Sequence, residues 1–431
     1  MERHSDRTTT ARARSAAVCP ACGTGSGLNL LYALSDIPVQ STLLLRERTT
    51  AVSFPTGDMS LNWCQSCGLA FNASFDPARV DYSTGYEDTQ TASATFTSFA
   101  TNLAKDWIKR HELRGRHLVE IGCGKGDFLR LICEHGECTG AGYDPAYVSR
   151  GESEVSGLEF HARNFELEDV PIAADFVICR HTLEHVGPVA DFLGLMRKAC
   201  GNSDTIRMGF EVPDLRRILI EGAFWDIYYE HAAYFTAGSL ARAFLHAGFN
   251  ILNLERVYGE QYLVIEVAPA HSQSLVDQAS LPPIAQDTEE TAALIGHFRR
   301  TGIAQIEAWR ERFAQWRDSG LSVALWGSGS KAVAFLTTIA GAASASGKMA
   351  GSDALSSVVV CVADINPART GYYMPGCAMP IVAPESLKSF QPDIVIVMNS
   401  IYLDEITRDL QAMNLTSLVL TLDDTSAGAR S

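Results

Sequence analysis

Four cysteines stand in two matched pairs, Cys19-Pro-Ala-Cys22 and Cys64-Gln-Ser-Cys67, each followed directly by a glycine, Gly23 or Gly68. Two residues between thiols let both sulfurs face one ion, and the glycine permits a tight turn that aims backbone N–H groups at sulfur. Four thiolates complete a closed tetrahedral shell. Cys19, Cys22, Cys64 and Cys67 are therefore expected to hold one structural Zn2+. Residues 23–63, between the pairs, are longer than a compact zinc ribbon allows and must form a small subdomain. Neither pair ends a strand that opens a helix, which disfavours thioredoxin-like redox chemistry.

A second constellation starts at Val119-Glu120-Ile121-Gly122-Cys123-Gly124-Lys125-Gly126-Asp127, an acid and three alternating glycines between an apolar strand and a helix. Glycines let a ligand come close to the backbone. A dinucleotide places its pyrophosphate at the helix N-terminus and prefers no acid at the turn. Glu120 instead suits a ligand with a free ammonium group, and S-adenosylmethionine is such a ligand. Asp144 ends the next strand, 20 residues beyond Gly124, where it can accept both ribose hydroxyls. Asn164, after the third strand, is placed to contact the adenine. With Arg180 at the end of the fourth strand, the expected cofactor set is Glu120, Gly122, Cys123, Gly124, Gly126, Asp144, Asn164 and Arg180.

The fourth strand runs into Cys179-Arg180-His181-Thr182-Leu183-Glu184-His185. Ligands of open α/β sheets bind outside the carboxyl ends of strands, so His181 and His185 are expected at the cofactor's reactive end. Glu184 between them makes a metal site imaginable, but the H-E-x-x-H order of zinc proteases is absent. A further polar cluster reads Tyr228-Tyr229-Glu230-His231, then Tyr234. Histidines, an acid and phenols around a cationic methyl donor point to proton abstraction from a small molecule.

The elements that must position these groups follow from the pattern. The chain has 431 residues, 46% of them hydrophobic and 20% charged, and no apolar run nears the ~18 residues of a membrane span. The balance of 35 Lys and Arg against 50 Asp and Glu, a net charge of −15, disfavours nucleic acid as a partner. Eleven cysteines without a secretory leader argue for reduced thiols and a cytoplasmic location. Strand-like CTGAGYD, LEFHARN and DFVICR alternate with helical stretches, which predicts βαβ units and a parallel sheet. Residues 251–268 read as two strands joined at Gly259. Apolar Ile295, Phe298, Ile306, Trp309, Phe313 and Trp316 fall at helical spacing. A second strand–glycine turn–helix follows at LSVALWGSGSKAVAFLTTI, with a small, polar loop at AGAASASGKMAGSDALSS. The expected division is a disordered tail over 1–18, a zinc-binding module over 19–80, a core over 81–285, a connecting helix over 286–320 and a C-terminal α/β domain over 321–431.

CxxC…CxxC, VEIGCGKGDFL, YEHAAYFT, GEQYLVIEV, LWGSGSKA and VADINPARTGYYMPGCAMPI, in that order, resemble the three-domain S-adenosylmethionine-dependent sugar C-methyltransferases of deoxysugar and antibiotic biosynthesis. The resemblance runs from about Cys19 to the last strand. It implies an α/β fold with a class I (Rossmann-like) methyltransferase core, an N-terminal zinc-binding module and a smaller C-terminal Rossmann-like domain that binds substrate. It implies methyl transfer to a carbon alpha to the ketone of a nucleotide-linked sugar, through a base-generated enolate. The family's Y-x-E-H motif falls on Tyr228, Glu230 and His231, the histidine after its fourth strand on His185, and its substrate-side tyrosine on Tyr86 or Tyr82. The chain departs from the family at His181, where asparagine is usual, at Glu184, which replaces a small residue, and at Tyr229. A neutral His231 oriented by Glu230 would serve as base near neutral pH.

Two alternatives stand beside this reading. O- or N-methylation on the same core would need no enolising base. An NAD-dependent oxidoreductase would use Gly327, Gly329 and Ala332 with Asp364, but Asp364 lies 35 residues after Gly329, beyond the usual ~20. Lys331 is the candidate phosphate contact of the C-terminal domain.

Overall fold

The computed structural model describes residues 17–82, 85–87, 89–149, 156–270, 281–341, 355 and 357–424. The expected tail, apart from Ala17 and Val18, and nearly all of the small, polar loop lie outside the described residues.

Within these, the strands form three sheets. In the first, β1 (Leu28–Pro38), α1 (Arg48–Val52), β2 (Thr56–Cys64) and β3 (Ala70–Asn72) follow in chain order. β1 and β2 pair antiparallel, β3 pairs with β2, and β9 (Ala233–Tyr234) completes the sheet from far along the chain, Ala70 opposite Tyr234 and Phe71 opposite Ala233. The cysteine region and the segment carrying His231 are thus hydrogen-bonded to each other.

The second sheet has seven strands in the order β10-β11-β8-β7-β4-β5-β6. Its members are β4 (His117–Ile121), β5 (Thr139–Tyr143), β6 (Leu158–His161), β7 (Phe176–Arg180), β8 (Arg207–Pro213), β10 (Phe249–Val257) and β11 (Tyr262–Pro269). The five from β4 to β8 are parallel, and β11 runs antiparallel to both its neighbours. All of β7 is buried, as a strand covered on both faces must be. Leu118, Phe176 and Ile178 pack under α2 (Ala94–Arg110) and α3 (Asp127–Gly136). The alternate residues Val119, Val177 and Cys179 pack under α4 (Val189–Ala199) and α6 (Ala237–His246). Strand order reverses between β4 and β7, which places a binding crevice beyond their carboxyl ends. The hairpin expected at Gly259 is β10–β11, with positive φ at Tyr258, Gly259 and Glu260.

The third sheet is parallel throughout, in the order β14-β13-β12-β15-β16. It comprises β12 (Val323–Trp326), β13 (Val359–Ala363), β14 (Ile381–Val382), β15 (Ile394–Val397) and β16 (Leu418–Thr421), with α8 (Ser330–Ala340) after β12. The connecting helix is α7 (Thr288–Asp318); it buries Ile295, Phe298, Ile306, Trp309 and Phe313 against β1, α5 (Leu215–Glu221) and α8.

Candidate active site

The four paired cysteines come together as their spacing requires. Their Sγ atoms lie within 4.8 Å of one another, with Cys19 to Cys67 at 3.5 Å and Cys22 to Cys64 at 3.7 Å. A tetrahedral shell with Zn–S bonds of ~2.3 Å has S···S edges of ~3.8 Å, so this set fits zinc. Gly23 and Gly68 turn the two loops at positive φ, their N–H groups donating to the Cys19 and Cys64 carbonyls at 2.8 Å. A Cβ at Gly68 would meet Arg242 Nη2 at 2.6 Å, and Arg242 Nε donates to the Cys67 carbonyl at 2.8 Å. The cluster is therefore docked on α6.

The first glycine loop and the end of β7 enclose a cavity of about 660 Å³ at the switch point of the large sheet. Of the expected cofactor residues, Glu120, Gly122, Cys123, Gly124, Asp144, Asn164 and Arg180 line it, and of the expected catalytic residues Tyr86, His181 and His185 do. Gly126 stands back from the wall, packed where a Cβ would lie 2.4 Å from the Phe160 ring. Gly122, at φ +70°, has no room for a Cβ, which would fall 1.9 Å from Thr182 Oγ1. Gly124, also at positive φ, faces open space.

Each acid of this site has a distinct environment. Glu120 is 2% exposed and its Oε2 has no hydrogen-bond partner among the described residues. Burial, only partly offset by Arg180, pushes its carboxyl up to about 8. A buried carboxylate with an unused oxygen on a cavity wall fits an incoming ammonium group. Asp144 turns into the loop, accepting from the Gly124 N–H at 2.9 Å and the Ala146 N–H at 2.7 Å. Arg180 spends its guanidinium on the buried Glu211, with Nε 2.9 Å from Oε2, and lies over the Phe128 ring. Arg180 thus offsets the charge of Glu211, which at 0% exposure would be costly unpaired, while lining the cavity.

His181 takes a left-handed backbone at φ +48°, which returns its ring onto the same acid: Nε2 lies 2.6 Å from Glu211 Oε1 without hydrogen-bond alignment, and Nδ1 3.5 Å from Glu184. Burial opposes its charge, yet the two carboxylates outweigh it and raise the ring to about 9. His181 is thus a paired cation.

His185 is held differently. Its Nδ1 meets the Tyr82 hydroxyl at 2.9 Å and the Glu230 carbonyl at 3.1 Å. Of the two tyrosines expected near the substrate, Tyr82 makes this contact, and the Tyr86 ring stacks edge-on against it at 5.3 Å. His231 sits behind, its ring 4.8 Å from that of His185 and 4.4 Å from that of Tyr228. Burial, then the neighbouring His185 and His181, hold His231 well below the ordinary histidine value, so it is neutral. Tyr228 is kept protonated by burial.

Glu230 departs from expectation. Its carboxylate does not orient His231; Oε2 accepts from the Ser41 N–H at 3.0 Å and Oε1 from the Ser330 hydroxyl at 3.2 Å. The acid near the rings is Glu184: one of its oxygens and ring nitrogens of His185 and His231 lie within 4.8 Å of one another. The sequence signal for it was an acid between two histidines at a strand end.

A second cavity of about 260 Å³ adjoins the first, sharing Thr89 and Gln90, and is lined by Tyr228, Gly327, Gly329, Lys331 and Asn399. Here Asp364 repeats the arrangement of Asp144: it accepts from the Ser328 N–H in the loop and from the Asn366 N–H, both at 2.8 Å. Lys331 Nζ is 3.2 Å from Asp226 and 3.4 Å from Gln261.

The comparisons with known proteins address the chain from two sides. A methyltransferase domain family matches residues 96–254, and a C-methyltransferase C-terminal domain family matches residues 288–418. A curated relative, the C-methyltransferase NovU of Streptomyces niveus, is 26% identical over 306 residues, 68% of this chain and 68% of its own. Among solved structures, magnesium protoporphyrin IX methyltransferase (ChlM) of Synechocystis PCC 6803 with bound SAH is 14% identical, covering 43% of this chain and 91% of its own at a TM-score of 0.34. Burkholderia thailandensis 1,6-didemethyltoxoflavin-N1-methyltransferase with bound S-adenosylhomocysteine is 17% identical, covering 41% and 81% at a TM-score of 0.32. On the two domain matches, the curated relative and the class I order of its seven-stranded sheet, the chain is an S-adenosylmethionine-dependent methyltransferase.

Proposed function

We propose that the protein is a C-methyltransferase that methylates a carbon alpha to the ketone of a nucleotide-linked sugar. The observation that carries this reading is a neutral, buried His231 against His185, which lines the same cavity as the glycine loop. O- or N-transfer would need no enolising base. The C-methyltransferase domain match at 288–418 and the C-methyltransferase relative support it, as does the motif resemblance.

In this reading the donor's sulfonium supplies an activated methyl group. Glu120 holds the donor's ammonium, Asp144 its ribose, and Asn164 its adenine edge. His231 removes the alpha proton, and the Tyr82 and Tyr86 hydroxyls with His185 donate to the developing enolate oxygen. Tyr228 closes the side toward the second cavity, where the loop at Gly327–Gly329 and α8 receive the acceptor's nucleotide. Cys19, Cys22, Cys64 and Cys67 hold a structural zinc with no open position for chemistry.

The Glu120 assignment has a pH signature. Below pH 8 its carboxyl is largely protonated in the free enzyme, whereas a bound ammonium favours the carboxylate. Binding of S-adenosylhomocysteine should therefore release a proton and tighten from pH 6 to 7.5, by up to about tenfold per unit. Calorimetry on Glu120→Gln should show weaker binding and a flat pH response.

The function itself is tested by incubating the enzyme with methyl-labelled S-adenosylmethionine and thymidine-diphosphate-linked 4-keto-6-deoxyglucose or its deoxy and amino analogues. A labelled methyl with a carbon-bound shift in the product supports the reading. An oxygen- or nitrogen-bound methyl overturns it.

A further inference from the structure

The carboxylate that sequence reasoning joins to His231 is committed elsewhere, with both Glu230 oxygens taken by Ser41 and Ser330. Glu184 is the acid that remains. The short turn Leu183–His185 puts it within 4.8 Å of ring nitrogens of His185 and His231. It is 2% exposed, and while one oxygen lies 3.5 Å from His181 Nδ1, Oε2 has no hydrogen-bond partner among the described residues. A buried acceptor without a donor is costly, and a protein that keeps one uses it at another stage of its cycle. The rings of His185, Tyr228 and Tyr234 lie 4.8, 4.4 and 5.5 Å from that of His231, burial keeps both phenols protonated, and the nearby Glu230 carboxyl is bound to Ser41 and Ser330.

We infer that Glu184 is the positioning residue of the proton-transfer step, the carboxylate that compensates the charge His231 acquires. The inference rests on the reading of His231 as the base. In that step the alpha C–H bond breaks, its electron pair moves to the carbonyl oxygen as an enolate, and the proton passes to His231. The enolate carbon then bonds to the methyl group as the C–S bond breaks, which restores the ketone and leaves a neutral thioether. His231 is cationic from the first event until it returns its proton to solvent, and Glu184 faces it throughout. The logic is that of an acid behind a catalytic histidine, which stabilises the imidazolium without taking its proton. Glu230 has a different task. It ties the His231 segment to Ser41 before α1 and to Ser330 at the start of α8, so the base sits where the N-terminal sheet and the C-terminal glycine loop meet.

Two readouts test this. The first uses nitrogen NMR of histidine-labelled enzyme saturated with S-adenosylhomocysteine, with His231→Asn assigning the signal. In Glu184→Gln the ring nitrogen shifts of His231 should change at neutral pH and its titration midpoint should fall by about one unit or more, since an anion favouring the cation is gone; in Glu230→Gln the midpoint should fall by less. The second is turnover of the labelled keto sugar: Glu184→Gln should lower kcat on the order of 100-fold with the acceptor KM within about threefold, and Glu184→Asp should recover part of the loss. A midpoint of His231 unchanged in Glu184→Gln, or one that falls further in Glu230→Gln than in Glu184→Gln, overturns the assignment. So does selective broadening of His185 and His231 by stoichiometric Mn2+, which would make the three side chains metal ligands. If the NMR changes appear while His231→Asn still methylates carbon, the base assignment fails and the Glu184 contact stands.

Discussion

Replacing His231 by asparagine should cut methyl transfer to carbon by two to four orders of magnitude while S-adenosylhomocysteine binding stays within about twofold. Asparagine keeps a polar side chain of similar reach but cannot accept a proton. In the proposed reading the donor is held by the loop after β4, which lines the larger cavity, and His231 is not among that cavity's lining residues, so donor affinity should not depend on the ring. The wild-type ring is ready for the task because burial, with His185 and His181 beside it, keeps it neutral through the whole working pH range. Single-turnover methylation and calorimetry on the same preparation separate the two quantities. Equal losses in both would mean that the substitution disturbed the cavity and not the proton transfer.

Replacing Cys64 by serine should remove the metal and reach the active site. Wild-type enzyme should contain one zinc per chain by elemental analysis and Cys64→Ser close to none. Structural zinc contributes on the order of 10 kcal/mol to small folded modules, so the melting temperature should fall by roughly 10 °C or more. The effect should not stop at the module. β3 begins three residues after Cys67 and pairs with Ala233–Tyr234, two residues past His231, and Gly68 packs on Arg242 of α6. Turnover should therefore drop at least tenfold even at temperatures where the chain stays folded. Metal-free wild-type enzyme with unchanged melting and activity would contradict the assignment.

How far sequence reasoning reached depended on whether each signal was local. The strand–glycine–helix at Val119–Asp127 carries its own evidence, because the glycines are required by φ and by the closeness of Thr182. The stripe from Ile295 to Phe313 is a 3.6-residue period over a long helix, and it is buried as that period demands. The cysteine pairs are legible because two residues set the bite of a metal site. The failures are contacts across long stretches of chain. Glu230 stands next to His231 in sequence, yet its side chain bonds to residues 189 and 100 positions away. Arg180 at a strand end gives no sign in sequence of its ion pair with Glu211 of β8. β9 is two residues long and has no period to read; only its pairing with β3 reveals it. Glu184 required knowing that Leu183–His185 is a single 3-10 turn, too short to leave a period in the sequence.

The central claim is enolisation at a histidine beside the methyl donor, and solvent exchange tests it without any methyl transfer. The enzyme saturated with S-adenosylhomocysteine is mixed in D2O with thymidine-diphosphate-linked 4-keto-6-deoxyglucose, or whichever keto sugar the product assay selects. The alpha proton is then followed by NMR. The account predicts catalysed loss of one alpha proton in wild-type enzyme and none above background in His231→Asn. Methylation of carbon by wild-type enzyme with no exchange, or exchange that survives in His231→Asn, would contradict it.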